Sequence, residues 1–148
     1  MKSELEVLEN ISHPHVTRVL DLFEDDQNIY IAMELLHEGN LLEHLANISS
    51  RQASFTERDA ANLIYQILLG LRYIHQSGMI HRDLKLENVM VEKTQIRRKT
   101  GNGQKELITC KLTDFGFACV LEPGSTVKMS LGTPLFMAPE VVKNEAYD

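Results

Sequence analysis

The sequence predicts an α+β fold in which a short strand-rich portion precedes a longer, mainly helical portion. Two segments rich in β-branched and aromatic residues, 15–23 and 28–33, flank the polar turn 24–27 and predict an antiparallel hairpin. Apolar residues from Ala60 to Ile74 recur with the helical period and predict a long amphipathic helix. Two further apolar segments around 89–91 and 107–112 predict a second hairpin.

Composition and charge narrow the class of protein. The 148 residues are 43% hydrophobic and 24% charged, as in one globular domain, and the net charge is -6. With that charge and no basic stripe along a helix, we expect no nucleic acid partner. No apolar run approaches the roughly 20 residues that cross a bilayer. We therefore expect a cytoplasmic protein with no membrane span and no signal peptide.

The cysteines indicate neither a disulfide framework nor a zinc site. Cys110 and Cys119 are the two cysteines of the chain, and they form no CxxC or Cys/His cluster. Two buried, reduced thiols are the favoured interpretation.

Three helices are predicted before the middle of the chain. Residues 3–11 alternate apolar and acidic residues with helical spacing and stop at Pro14. Residues 40–46 predict a second short helix. Thr56, with Asp59 three residues later, predicts an N-cap close to a capping box for the long helix, and Gly78 suits its left-handed C-terminal residue.

The second hairpin is predicted to have a long polar tip. Ile80 to Val91 is expected to be a loop flanked by short strands, and residues 93–106 form the tip with a turn at Asn102-Gly103. The run Arg97-Arg98-Lys99 is either a solvated loop, which we favour, or a basic docking site.

Three motifs carry the chemistry, and they follow one another in the order His81-Arg82-Asp83-Leu84-Lys85-Leu86-Glu87-Asn88, Asp114-Phe115-Gly116 and Ala138-Pro139-Glu140. Each triplet alone is a weak signal, but the combination resembles the catalytic loop, metal-binding triplet and activation-loop end of eukaryotic-type Ser/Thr protein kinases. The resemblance covers almost the entire chain. It implies a partial protein kinase domain, with the rear of the small β-rich lobe at 1–34 and the hinge, catalytic loop and activation loop of the large lobe at 35–148.

The residue types suit phosphoryl transfer from ATP, which requires neutralised phosphate charge and an aligned hydroxyl. Asn88 and Asp114 supply oxygen ligands for Mg²⁺. Asp83 is the candidate to receive or orient the proton of the substrate hydroxyl, and Lys85 would place positive charge beside the transferring group. We expect Gly116 to let the chain turn sharply after the metal ligand.

The resemblance assigns further catalytic and structural roles. It implies that Thr133 bonds both Asp83 and Lys85, and the lysine itself favours Ser/Thr over Tyr specificity. A stacked hydrophobic column joining the two lobes is implied for Leu8, Val19, His81 and Phe115.

The resemblance also implies an ATP site. Met33 would guard the back of the adenine pocket, the backbone from Glu34 to Leu36 would bond the adenine edge, and Met90 would lie beneath the ring. Glu4 matches the helix glutamate that pairs with the ATP-holding lysine. Core filling remains the alternative for both methionines, and an exposed helix acid is the alternative for Glu4.

Regulation is predicted from the activation loop, Asp114 to Glu140. Arg82 before the catalytic aspartate often accompanies activation by phosphorylation, because a guanidinium pairs well with phosphate. Met129 stands where many relatives carry the phosphothreonine, so Thr126 or Ser130 is the predicted phosphosite.

Substrate preference is less determined. The segment from Phe55 to Asn88 looks most like the calcium/calmodulin-dependent and calcium-dependent kinases. Many of these carry an acidic residue where Asn40 stands, which puts a preference for basic substrates in doubt, although Glu87 could contact one basic residue. Leu86 replaces the commoner proline of the catalytic loop.

We therefore expect Mg²⁺-dependent transfer of the γ-phosphate of ATP to Ser/Thr hydroxyls of protein substrates, when these residues act in a complete domain. The Gly-rich loop, the ATP-binding lysine and the C-terminal helices of the family have no counterpart here, so little activity is expected of residues 1–148 alone. A truncated, non-catalytic interaction module is the alternative, and a small-molecule phosphotransferase is less favoured. Control by an upstream kinase or a calcium sensor is compatible with the resemblance but is not encoded in these residues.

Overall fold

The computed structural model describes residues 7–50, 55–94, 99–100, 103–104 and 107–148. Residues 7–10 are helical, and the hairpin β1 (Val19–Glu24) and β2 (Ile29–Met33), the helix α1 (Leu41–Ser50) and the long helix α2 (Glu57–Gln76) follow. The remaining strands are β3 (Met79–Ile80), β4 (Val89–Thr94), β5 (Lys99–Thr100), β6 (Gly103–Gln104), β7 (Leu107–Leu112) and β8 (Cys119–Val120). Helix α3 (Pro139–Val142) follows, and short 3-10 helices lie at Leu86–Asn88 and Pro134–Phe136. The predicted α+β class is confirmed.

The first hairpin is confirmed, but its first strand begins later than predicted. β1 and β2 pair antiparallel with Glu24 opposite Ile29. Residues 15–17 do not extend the hairpin: Val16 instead forms a parallel bridge with Leu112. The Thr17 N–H also donates a 2.8 Å hydrogen bond to the Leu112 carbonyl. This segment ties the hairpin to β7, so long-range pairing overrides the local preference for strand continuation.

The helix caps follow the sequence closely. Thr56 and Asp59 form the predicted capping box of α2, and Gly78 adopts a φ of +72° just beyond the helix. α1 extends to Ser50, four residues beyond its predicted end, and the Asn40 side chain accepts the Glu43 N–H at 3.0 Å. Of the helix predicted over 3–11, residues 1–6 lie outside the described residues, and the helical turn stops at residue 10.

The second hairpin is confirmed as a ladder of β4 and β7 in which Val89 lies opposite Leu112 and Thr94 opposite Leu107. At its tip β5 pairs with β6, so Gly103 belongs to a strand opposite Thr100 rather than to the predicted turn. Residues 95–98 lie outside the described residues, which leaves both interpretations of the basic run open. No helix in the described part of the chain is long and apolar enough to cross a bilayer.

One hydrophobic core joins the hairpin β1–β2, helix α2 and the ladder β4–β7. Its fully buried side chains are Val16, Ile74, Met79, Val89, Val91, Cys110 and Leu112. Helix α2 packs closely at Gly70, where a Cβ atom would lie 2.6 Å from the His15 carbonyl oxygen and 3.0 Å from Leu112 Cδ1 of β7. Cys110 and Cys119 are buried, as predicted, and no disulfide joins them; burial raises the pKa of the Cys110 thiol to about 11.

Candidate active site

The loop 81–88 carries the candidate catalytic residues and is placed by strand pairing on both sides. β3, which leads into the loop, pairs with β8, so Ile80 lies opposite Cys119. After the loop, the Thr113 N–H donates to the Asn88 carbonyl at 3.0 Å. These contacts bring the loop against residues 113–119, which include the candidate metal ligand Asp114.

Asp83 is the centre of the site. It is 3% exposed, and each of its carboxylate oxygens accepts two hydrogen bonds. Oδ1 accepts from the Thr133 N–H at 2.8 Å and the Thr133 hydroxyl at 2.7 Å. Oδ2 accepts from Lys85 Nζ at 2.7 Å and Asn88 Nδ2 at 3.0 Å. The structure therefore brings together all three predicted catalytic residues.

The protonation states follow from these contacts. Burial alone raises the pKa of Asp83, but hydrogen bonds from Lys85 and Thr133 outweigh it and hold the pKa below its ordinary value. The hydrogen bond to Asp83 raises the pKa of Lys85. At neutral pH the site therefore holds a carboxylate beside an ammonium group. Lys85 Nζ also donates to the Thr133 hydroxyl at 2.9 Å.

His81 and Phe115 form part of the predicted column. Their ring centroids are 5.2 Å apart, and the His81 ring bonds the Thr113 carbonyl through Nε2 at 2.9 Å and accepts the Asp83 N–H through Nδ1 at 3.3 Å. Burial lowers the pKa of His81, which favours the neutral ring that both bonds require. Leu8 and Val19 are buried in the core against which Phe115 packs.

Gly116 lies in a turn, as predicted: residues 116 and 117 are the central residues of a turn that the Ala118 N–H closes by donating to the Phe115 carbonyl at 3.0 Å. The backbone is also unusual at the metal-binding residue before it. Asp114 has a φ of +62°, and its Oδ1 accepts the Gly116 N–H at 3.3 Å. A short polar side chain that bonds the backbone two residues on tolerates this left-handed conformation. Arg82 also has a positive φ, of 66°. Such strained residues concentrate at functional sites.

The two candidate metal ligands suit Mg²⁺. Asn88 uses Nδ2 to bond both the carbonyl and the carboxylate of Asp83, so its amide oxygen is the atom that a cation would take. Asp114 is exposed and offers a carboxylate. Among the described residues, no three His, Cys, Asp or Glu side chains are grouped so that they could hold a metal ion together. Mg²⁺ typically takes one or two protein oxygens and completes its shell with phosphate and water, which matches this pair.

The predicted ATP-binding residues lie along one segment and one strand. Met33, at the end of β2, is 43% exposed. The Glu34 N–H donates to the Arg18 carbonyl at 3.0 Å, so this donor is already used within the chain. Met90 forms an antiparallel bridge with Asn40. The segment from Glu34 to Asn40, which includes Leu36, is therefore paired with β4 at its end. Glu4 lies outside the described residues.

The side chain of Glu34 has a role that the sequence did not indicate. Its Oε1 accepts the Arg18 N–H at 2.8 Å, and its Oε2 pairs with Lys111 Nζ at 2.7 Å. Burial raises the pKa of Glu34, but the hydrogen bonds from Lys111 and Arg18 outweigh it, and the net pKa lies below its ordinary value. This pair joins the end of β2 to the strand that leads to Asp114.

Among the described residues, the partners of the Arg82 guanidinium do not include Thr126 or Ser130. Arg82 donates to the carbonyls of Phe117 and Ala118, and its Nη1 lies 3.8 Å from the sulfur of Met129. Thr126 and Ser130 are both exposed. In this structure the guanidinium is satisfied by backbone carbonyls and a thioether.

Two residues that sequence reasoning missed place the segment 125–133. Gly132 has a φ of +113°, and a Cβ atom there would lie 2.5 Å from the Arg82 carbonyl oxygen. Tyr147 pairs through its backbone with Val127 and donates its hydroxyl to the Met129 carbonyl at 2.9 Å. The glycine before Thr133 was a visible signal, but its contact partner could not be inferred from the sequence.

Comparison with known proteins identifies the same family along the whole chain. The model of the protein kinase domain family matches residues 1–148. "Probable myosin light chain kinase" of Dictyostelium discoideum is 32% identical over a matched region that covers 100% of this chain and 38% of the relative. "NUAK family SNF1-like kinase 2" of Rattus norvegicus is 32% identical over 99% of this chain and 21% of its own length. "Probable serine/threonine-protein kinase fhkD" of Dictyostelium discoideum is 33% identical over 97% and 18%, respectively. The chain thus spans well under half the length of each of these relatives.

Proposed function

Because the chain belongs to the protein kinase family, and its relatives are named as serine/threonine or myosin light chain kinases, we propose that the whole protein transfers the γ-phosphate of ATP to serine or threonine hydroxyls of protein substrates. Mg²⁺ is the proposed metal. Within this proposal, residues 1–34 belong to the small lobe and residues 35–148 to the hinge and large lobe.

One observation carries the proposal: the ring of donors around the Asp83 carboxylate. The loop 81–88 alone contributes Lys85 and Asn88, and Thr133 arrives from a separate segment to complete the ring. A buried carboxylate that is held ionised and oriented from two segments suits the alignment of a substrate hydroxyl. An interaction module has no chemical need for this arrangement.

The residues divide the work of phosphoryl transfer. Asp83 would accept a hydrogen bond from the substrate hydroxyl and orient its oxygen toward the phosphorus. Lys85, whose side chain is 20% exposed, would place its charge beside the transferring group. Asp114 and the Asn88 amide oxygen would hold Mg²⁺, which would supply neutralising charge to the phosphates. Thr133 would hold both Asp83 and Lys85 in place.

The remaining roles are part of the same proposal. Met33, Leu36 and Met90 would line the adenine pocket. Because the Glu34 N–H already donates to Arg18, the carbonyl is the backbone group of Glu34 that would bond the adenine edge. For regulation, we propose phosphorylation at Ser130 or Thr126. Ser130 follows Met129, which already lies beside Arg82, and this favours Ser130 of the two.

The test is phosphate transfer from labelled ATP by the full-length protein to a library of Ser, Thr and Tyr peptides. Asp83→Asn should lower kcat by about 10²- to 10⁴-fold, the usual contribution of a positioned acid or base. Asp26→Asn, in the exposed turn after β1, is the matched control and should leave kcat unchanged. Full activity of Asp83→Asn would refute the assigned role. A folded wild-type protein that transfers no phosphate would favour the non-catalytic module.

A further inference from the structure

The strand that leads to Asp114 is hydrogen-bonded along both edges, although β4 flanks only one of them. On the outer edge of β7, the Gln66 side chain donates to the Ile108 carbonyl and accepts from the Cys110 N–H, each at 2.9 Å. The Cys110 carbonyl lies 2.9 Å from His15 Nδ1. The Leu112 N–H donates to the His15 carbonyl at 3.0 Å, and the Leu112 carbonyl accepts from Thr17 as described above. The outer edge is therefore satisfied from residue 108 to residue 112.

Gln66 imitates a neighbouring strand on this edge. Its Nε2 donates to one residue of β7 and its Oε1 accepts from the next residue but one, which is the spacing at which backbone groups face one edge of a strand. Cys110 is 1% exposed, so if the Gln66 side chain were removed, water could not easily bond the Cys110 N–H in its place. A buried backbone group left without a partner is unfavourable, because it gives up its hydrogen bond to water and gains none within the protein.

The position of Gln66 links the two halves of the proposed active site. Gln66 lies on α2, and the same helix runs through Gly78 directly into β3 and the loop that carries Asp83. The strand that Gln66 holds ends two residues before Asp114. A shift of β7 along α2 would therefore move the metal ligand relative to the catalytic carboxylate, and misplacement by about 1 Å can cost about 10²-fold in rate.

We propose that Gln66 is a positioning residue for phosphotransfer: its side-chain amide holds β7 against α2 and so sets Asp114 relative to Asp83. This inference rests on the proposed function. It assigns to Gln66 no contact with ATP, metal or substrate.

Gln66→Glu in the full-length protein tests the inference through its pH profile. The ionised carboxylate can still accept the Cys110 N–H, but it has no proton for the Ile108 carbonyl. At pH 8 we expect kcat to fall at least tenfold and the Mg²⁺ concentration for half-maximal activity to rise, while the KM for peptide stays unchanged. As pH falls, the protonated acid regains its donor, and the ratio of variant to wild-type kcat should rise. His15 and Cys110, the ionisable residues beside this contact, are present in both proteins, and dividing by the wild-type kcat removes the pH dependence that wild type itself shows.

Two variants complete the comparison. Gln66→Met removes both hydrogen bonds and should lower kcat at every pH. Gln76→Glu makes the same change at an exposed position of α2 and should leave the ratio near one. If Gln66→Glu matches wild type at pH 8, or if its defect is the same at every pH, the inference is wrong.

Hydrogen exchange separates this inference from the proposed function. The Cys110 amide should exchange at least tenfold faster in Gln66→Met than in wild type, whether or not the wild-type protein transfers phosphate. Unchanged exchange at Cys110 overturns the positioning role by itself. Faster exchange in a protein without phosphotransfer would support the contact between Gln66 and β7 while refuting the catalytic proposal.

Discussion

The hydroxyl of Thr133 donates a 2.7 Å hydrogen bond to Asp83 Oδ1 across 50 residues of sequence. The same hydroxyl accepts a hydrogen bond from Lys85. Gly132 allows this approach because a side chain there would collide with the Arg82 carbonyl. The candidate base is therefore oriented by a segment distant in sequence, and displacement of that segment would release it.

Thr133→Val should impair catalysis without unfolding the protein. Valine keeps the shape of threonine but leaves Asp83 and Lys85 each without one partner, and a loss of about 1–3 kcal/mol corresponds to roughly a 5- to 150-fold lower kcat. Steady-state kinetics of the full-length protein measure this loss. Thr133→Ser retains the hydroxyl and should keep most of the activity. Equal kinetics for the valine variant and wild type would argue against the positioning role of Thr133.

Gly70→Ala should destabilise the protein, against the usual trend for helices. In an exposed helix interior, alanine is about 1 kcal/mol more favourable than glycine. Here the added Cβ would lie 2.6 Å from the His15 carbonyl oxygen and 3.0 Å from Leu112 Cδ1. We expect the free energy of unfolding to fall by about 1–3 kcal/mol, as for other overpacked sites. Urea denaturation measures it, and Asn62→Ala, on the exposed face of α2, should be neutral or slightly stabilising.

The ion pair between Glu34 and Lys111 should give a pH-dependent contribution to stability. Because the folded-state pKa of Glu34 is lowered, its contribution is complete above the unfolded pKa of about 4.3 and is lost as pH falls through the folded value. At pH 7, a double-mutant cycle with Glu34→Gln and Lys111→Met should give a coupling free energy of about 1 kcal/mol. That coupling should decline below about pH 4. A coupling that stays constant down to pH 3 would contradict this assignment, and Glu24→Gln, at an exposed position of β1, serves as the control.

Thr56→Ala should lower stability through the cap of α2. The alanine leaves the Asp59 N–H without its side-chain acceptor, and loss of such a cap typically costs about 1 kcal/mol. Thermal unfolding should show a reduced Tm. Thr56→Ser preserves the hydroxyl and should behave like wild type. Since Thr56 lies at the far end of α2 from the loop 81–88, kcat per folded molecule should remain unchanged, and a large loss of kcat would show that the cap influences the site.

Local patterns predicted the helices and strands well where the residues that stabilise an element are close together in the sequence. The capping box of Thr56 and Asp59, the left-handed Gly78 and the ladder of β4 with β7 are of this kind. The start of β1 was predicted four residues too early, because residues 15–17 pair with Leu112, which is distant in the sequence. The turn at Gly116 was predicted correctly, whereas the left-handed backbone of Asp114, whose side chain accepts the Gly116 N–H, was not predicted.

The sequence by itself determined the family, the types of catalytic side chain and the order of the helices and strands, because these depend on motifs and on periodicity along the chain. Only the tertiary structure decided two partners that neither the motifs nor the family resemblance indicated: Lys111 for Glu34, and Gln66 for the outer edge of β7. The physical reason is that each of these bonds satisfies a charge or a buried polar group with an atom tens of residues away. Such partners are chosen by how the elements pack, which no local pattern records.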